Sequence, residues 1–335
     1  MNKRKIGLLA GALSMLVLGS VANGAAIITD GQVVLGIDDR AQLNIGGGNP
    51  SVTGITTVGM RYMPGGAGTT EYEVTSHGCL CEGWGVSASG GSGYANNSLG
   101  TAGLSADSFV STASTATVVT TAAAAGLKVT HSFALSGATN KLYELVVTIE
   151  NIGAGAATDV TYRRTMDWDT DPTPFNEFVT IGGYAAATAV KSANNNGFCS
   201  SNPLAACNQL FAGGTGDFVD LGPADHGSNF DFGFGDLAAG DSVTFSIFYG
   251  GADSVADAFT VMGAVGIEVF SLGRSGTDVN GDGLRDSDGA LTPTYIFGFS
   301  GVGGTPVVPT PEPGTIFLLG AGLLGLGLQR RRRRV

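Results

Sequence analysis

The stretch DVNGDGLRDSD sets five oxygen-bearing side chains, Asp278, Asn280, Asp282, Asp286 and Asp288, around Gly283. Calcium takes roughly six to eight oxygen ligands. A turn with Asp or Asn at its first, third, fifth and ninth positions, glycine at the sixth and a backbone carbonyl at the seventh, here Leu284, supplies them. The spacing points to a structural calcium site; the plainer reading is a solvated loop joining two strands. A second acidic group, MDWDTDP, puts Asp167, Asp169 and Asp171 on one face of a strand and Trp168 on the other. Paired carboxylates near aromatic rings serve glycoside hydrolysis, one as acid and one as nucleophile or base. Glu177, Glu82 and the pair Asp225 and His226 are the candidates to complete such a site. The alternative is a strand end with solvated or cation-binding aspartates and a buried tryptophan.

Other chemistry is sparser. Trp84, Tyr62, Tyr94 and Trp168 would make a stacking platform for sugars, but with only two tryptophans and 8% aromatic residues the core has first claim on them. His77, His131 and His226 are too scattered for a metal triad, and no nucleophile elbow, zinc-protease helix or phosphate loop is present. No catalytic residue is therefore assigned. Four cysteines allow three pairings. Cys199 and Cys207 flank the short polar segment SSNPLAA and are the simplest closure, which leaves Cys79 and Cys81 either as a strained C-x-C bridge or reduced. A zinc site is the rival reading, but it lacks a second C-x-x-C or a nearby pair of histidines.

The 278–288 segment resembles the calcium loops of EF-hand, dockerin and thrombospondin-type repeats. It departs from the EF-hand pattern at position twelve, where Gly289 replaces the bidentate glutamate, with Asp288 one residue earlier as the substitute. No helices are expected on either side, and the two flanking runs, IEVFSLG and TYIFGFSG, read as strands.

The two ends carry an address. MNKRKIGLLAGALSMLVLGSVANG has a basic start, an apolar run over 6–21 and small residues placed for a signal peptidase, which predicts cleavage after Gly24. The far end combines Pro311, Glu312 and Pro313 with an apolar run over 314–328 and five arginines at 330–334. Proline keeps the chain extended for a processing enzyme. The apolar run falls somewhat short of the usual ~20 residues of a membrane helix. Arginines held in the cytoplasm would leave the body outside it. This tail resembles the PEP-CTERM sorting domain of exosortase substrates. The resemblance implies recognition by an exosortase-type membrane protease, cleavage near Pro311 to Pro313, a transient inner-membrane anchor and delivery to the cell surface or an extracellular polysaccharide matrix. A plain single-span anchor is the alternative.

Between the ends lies a body of residues 25–304, followed by a linker over 305–310 and the sorting tail over 311–335. The net charge of −11 understates its acidity. Lys3, Arg4, Lys5 and the arginines at 330–334 supply eight of the 17 basic residues; without them and Glu312, nine basic face 27 acidic residues, a net of −18. Such a surface repels phosphate backbones, so nucleic acid is excluded as a partner and cations are favoured. With 55 glycines, 13% charged residues and little helical periodicity, the body reads as all-β, a single large domain.

Alternation on either side of Asp30–Gly31 and Asp38–Asp39 predicts three N-terminal strands. GWGVSASGGSGYANN, residues 83–97, reads as loop with a strand near 84–88, and 108–125 as one or two strands. LKVTHSFAL, LYELVVTIENIG and TDVTYRRTMDWD are the clearest strands, with later ones at FVTIGG, SVTFSIFYGG, IEVFSLG and TYIFGFSGV. The meander resembles the large β-sandwich domains of exported and carbohydrate-active proteins, including the galactose-mutarotase-like super-sandwich. The expected protein is thus a β-sandwich, plain or super-sandwich, with a signal helix before it and one transmembrane helix after it. Its expected role is that of a non-enzymatic surface or matrix protein; the alternative is a carbohydrate-binding module or glycoside hydrolase.

Overall fold

The structure, a computed structural model, describes residues 24–276 and 293–308. The expected signal helix, the calcium loop with Asp278, Asn280, Asp282, Leu284, Asp286 and Asp288, and the tail with Pro311, Glu312 and Pro313 lie outside those residues. Among the described residues, no helix is long and apolar enough to cross a membrane.

The chain opens one residue past the expected cleavage point with β1 (Ala25–Asp30) and β2 (Val33–Asp38), a hairpin whose turn residue Gly31 has a φ of 58°. β3 (Met60–Tyr62) and β4 (Tyr72–Glu73) complete a four-stranded sheet. Next come β5 (Gly83–Ala88) and β6 (Gly91–Asn96), then β7 (Ser105–Ser111), β8 (Ala116–Ala122), β9 (Leu127–Leu135) and β10 (Leu142–Asn151). β11 (Ala157–Trp168), β12 (Glu177–Gly182), β13 (Val190–Asn194), β14 (Phe218–Ala224), β15 (His226–Leu237) and β16 (Ser242–Ala252) lead to helix α1 (Val255–Ala264). β17 (Val269–Ser275) and β18 (Thr294–Ser300) close the body.

A nine-stranded sheet runs in the order β14-β12-β17-β18-β16-β10-β9-β8-β7, and a five-stranded one in the order β13-β15-β11-β5-β6. The body is therefore all-β with sandwich-like layering. One face of the nine-stranded sheet shares a core with both smaller sheets: Val129, Val147 and Phe245 pack with Tyr162 and Phe230 of the five-stranded sheet and with Leu35 of the four-stranded one. Phe299 sits 4.9 and 4.7 Å from the ring centres of Phe230 and Phe232, and Tyr162 meets Phe245 edge-on at 5.1 Å. Contacts of this kind contribute about 0.5–1.5 kcal/mol beyond simple burial. On the opposite face of the nine-stranded sheet, Ala258, Val261 and Met262 of α1 cover Phe248, Phe270 and Ile296.

Three local expectations give way. The third N-terminal strand is reduced to two isolated bridges, Ile37 to Leu43 and Ile45 to Val58, because Ala41 and Asn44 take positive φ and break the extended run. The glycine-rich stretch after Ala88 is a strand, β6. Its glycines are there for close backbone approach: a Cβ on Gly91 would lie 1.9 Å from the carbonyl oxygen of Ala124. Helix α1 was not expected, although Ser254 caps it by accepting from the N–H of Asp257 at 3.1 Å.

His131 on β9 is buried in the core, 4.3 Å from the ring centre of Trp84, with Nε2 3.1 Å from the Tyr162 hydroxyl. Burial, and then the charge of Arg164, hold it neutral, well below the ordinary value of 6.5. The unfolded chain takes up a proton that the folded core refuses, so this stability is present above about pH 6.5 and lost as the pH falls. His131→Gln should shrink the fall in stability between about pH 7.5 and about pH 5 by about 2 kcal/mol. Denaturant melts at both pH values check this; His226, lowered to about 4 chiefly by burial, acts in the same direction.

Candidate functional site

Three buried carboxylates of this body are matched by guanidinium groups. Glu73 accepts from Arg61 Nε at 2.8 Å, and the same arginine donates to the carbonyls of Asn49, Ile55 and Thr57. Asp231 takes both arms of Arg163 at 2.6 and 2.8 Å. Glu82 accepts from Arg164 Nε at 2.5 Å and from the Tyr249 hydroxyl at 3.1 Å. A paired, hydrogen-bonded charge tolerates burial; an unpaired one does not.

One group breaks the pattern. The outward face of β11 carries Arg163, Thr165 and Asp167, set opposite Asp231, Asn229 and Gly227 of β15. Asp167 and Asp169, two residues apart at the end of that strand, come together with Asp225 at the start of β15, and carboxylate oxygens of all three lie within 4.8 Å of one another. Asp167 and Asp169 are buried, whereas Asp225 is exposed. Glu177, the first residue of β12 and also buried, lies within Coulombic reach of Asp169 and Asp167. Its Oε1 accepts from the Thr170 N–H at 3.3 Å. Asp169 Oδ2 accepts from the Gly78 N–H at 3.3 Å. Among the described residues, Asp167 Oδ1, Asp169 Oδ1 and Glu177 Oε2 have no hydrogen-bond partner.

The electrostatics follow from that geometry. Burial, then the charges of Asp169 and Asp225, push the Asp167 carboxyl well above its usual range. Burial also lifts Asp169 to about 6, despite the Gly78 hydrogen bond and His77, and Glu177 to about 10, with Asp169 and Asp167 adding to the rise. Partial loss of hydration raises Asp225 as well, although the residue is exposed. Three small features make the room. Gly227 lies so close to β11 that a Cβ there would meet the Met166 carbonyl oxygen at 2.0 Å, one on Gly197 would stand 3.0 Å from Asp167 Oδ1, and the paired Cys79 and Cys81 sulfurs lie within 4.8 Å of an Asp167 oxygen.

The predicted acidic face is thus real for Asp167 and Asp169, and Glu177 and Asp225 join it. Asp171 does not. The chain turns away after Asp169, whose N–H bonds the Val74 carbonyl, and Asp171 accepts from Thr53 Oγ1 at 2.6 Å and from the Glu73 N–H at 2.9 Å, with His77 Nε2 at 3.0 Å. Burial raises the Asp171 carboxyl, but these bonds pull it below the usual value. Thr53, His77 and Asp171 have the residue types of a nucleophile relay. The same ring nitrogen, Nε2, faces both partners, so the ring cannot pass a proton between them.

Glu82 lies between the layers and belongs to Arg164. His226 is buried at the start of β15, its ring 4.9 Å from Phe211. Trp84, Tyr62 and Trp168 are core residues, Trp168 bonding Ser271 Oγ at 3.0 Å, and Tyr94 is half-buried, so no sugar platform forms from them. Cys199 and Cys207 are brought together with Cα atoms 5.5 Å apart, and Cys79 and Cys81 with Cα atoms 5.0 Å apart, both within the span of a bridge. Arg163 Nη1 holds the carbonyls of Ser200, Asn202 and Ala205 inside the first of these loops.

Residues 309–333 match the PEP-CTERM protein-sorting motif. The motif marks the chain as an exported protein sorted by an exosortase, which is a membrane protein, and it covers the segment outside the described body. No curated protein matches the chain.

Carboxyls with raised values weaken the fold as the pH climbs. The folded protein keeps a proton on Glu177 that the unfolded chain releases above about 4.5, so the stability present below that value is lost on the way up to about 10. In a chelating buffer at about pH 8, Glu177→Gln should stabilise the body by about 1–3 kcal/mol and flatten this decline, as seen in denaturant melts. A loss of similar size would mean that the carboxylate is satisfied and structural.

Proposed function

We propose that the chain is a non-enzymatic surface or matrix protein: a β-sandwich module of super-sandwich type, exported by a signal peptide cleaved after Gly24, sorted by an exosortase and held in or released to extracellular polysaccharide. The observation that carries this reading is the sorting motif at 309–333, joined to an all-β body. The acidic body and the two cysteine pairs fit an oxidising compartment outside the inner membrane. A structural calcium ion in the 278–288 loop belongs to the same proposal. β17 and β18 support it by pairing antiparallel as far as Gly273 opposite Tyr295, which makes that loop the connection between neighbouring strands. Co-expression with an exosortase in a Gram-negative host should yield a mature protein ending near Pro311 to Pro313 at the cell surface, read by mass spectrometry. Retention of the arginines at 330–334 in the inner membrane with exosortase present would make the tail a plain anchor.

Carbohydrate binding is the second reading, favoured by one feature. An open pocket of about 410 Å³ is lined by residues that include Tyr184, Asn194, Asn208, Gln209 and Thr215. An aromatic face beside several amides suits a sugar. On a glycan array, retention that disappears in Tyr184→Ala would carry this reading; with no retention by the parent protein, the pocket has no such role. Reducing-sugar release should be absent in either case.

A further inference from the structure

We propose that Asp167, Asp169 and Asp225, with Glu177 behind them, form a second binding site for a hard divalent cation of the calcium class, separate from the 278–288 loop.

The argument starts from what this body does with other buried acids. Glu73, Glu82 and Asp231 each have an arginine within hydrogen-bonding distance. Among the described residues, the charged groups acting on Asp167 are, by contrast, Asp169 and Asp225, both of its own sign. Carboxylates crowded together out of water repel one another and lose hydration, and a cation between them removes both penalties.

The independent sign lies in the unpartnered oxygens. Asp167 and Asp169 are 1% and 0% exposed, yet each has an Oδ1 without a hydrogen bond. Glu177 stands outside the trio and is 0% exposed; its Oε1 is tied to the backbone beside Asp169, and its Oε2 is free. Oxygens of Asp167, Asp169 and Asp225 lie within 4.8 Å of one another, a spacing that a single ion bridges with metal–oxygen distances of roughly 2.3–2.6 Å. Asp225 is exposed and gives an ion a way in from solvent. The donors are carboxylate oxygens, which select calcium, magnesium or manganese over softer metals. The Cys79 and Cys81 sulfurs also lie near Asp167; joined in a bridge they present no thiolate to draw zinc, and reduced they would.

The test is calorimetry and thermal melting of the purified full chain, stripped with chelator and titrated with Ca²⁺ in parallel with Mg²⁺ and Zn²⁺. Three variants separate the two sites: Asp167→Asn and Asp225→Asn in the cluster, and Asp282→Asn in the loop. Asp225 is exposed, so its substitution leaves the core intact even if the Asp167 variant folds poorly. The expected result is one Ca²⁺ equivalent and a rise in Tm that survive Asp282→Asn, disappear in Asp167→Asn and weaken about tenfold or more in Asp225→Asn. If the loop binds as well, the parent protein takes two equivalents and Asp282→Asn takes one. If the loop fails and the cluster holds, both take one. The proposal is overturned if Asp167→Asn and Asp225→Asn keep the parent's stoichiometry, affinity and Tm rise. It is equally overturned if the cluster takes Zn²⁺ rather than Ca²⁺ and loses it on alkylation of Cys79 and Cys81.

Discussion

A buried guanidinium must have its N–H groups answered, and three arginines that meet this condition hold the body together. Arg163 and Arg164 are neighbours on β11 and point to opposite faces. Arg164 points between the layers, where it joins Glu82, the Ala41 carbonyl and the Tyr162 hydroxyl, tying β11 to the N-terminal segment and, through Tyr249, to the nine-stranded sheet. Arg163 points outward and gathers three loop carbonyls against Asp231. Arg61 does the same for residues 49–57. A chain with this much glycine has long irregular segments that apolar burial alone does not fix. Each arginine substitutes a set of directional bonds for the missing side-chain packing, and removing one would leave a buried carboxylate without its cation and one to three backbone carbonyls without their donor.

Against that background the acid cluster is a deliberate exception. The same strand that matches Asp231 with Arg163 ends in Asp167, whose neighbours are acids. Asp171, three positions past the end of β11, is satisfied by Thr53, His77 and a backbone N–H. The contrast between Asp169 and Asp171, which share a motif and a residue type, therefore comes from where the chain turns. A group left unsatisfied in a protein that elsewhere satisfies its buried charges marks a place where stability has been given up for a ligand.

Much of the fold was legible because it rests on period-two alternation. β9, β10, β11, β16, β17 and β18 fall where their apolar residues alternate, and the all-β class follows from them. β15 escaped notice although Phe230, Phe232 and Phe234 alternate there, since polar Asn229 and Asp231 and several glycines dilute the run. β6 had no readable signal: its glycines and serines look like loop until Ala124 and Gly103 are seen pressing on its backbone. The site was half legible. Spacing placed Asp167 and Asp169 together, but nothing local predicted that Asp171 would leave or that Asp225, 58 residues after Asp167, would arrive. Long-range register, not motif, decides such membership. The arginine that keeps Glu82 out of the cluster was likewise invisible, because a pairing across 82 residues leaves no trace in either neighbourhood.

Among the described residues, the last backbone tie on the C-terminal side is the hydrogen bond from the Val307 N–H to the Ile267 carbonyl at 2.7 Å, just beyond α1. Pro311 follows four residues later, and four residues of fully extended chain reach at most ~14 Å. If the proposed cut at Pro311 to Pro313 holds, the leash of chain between Val307 and that cut is shorter than the width of a small domain. A membrane protease making that proposed cut would work almost in contact with the surface around α1, and the shape of that surface would set its clearance. Lengthening the leash, rather than altering the motif, is the change that would free cleavage from the bulk of the cargo.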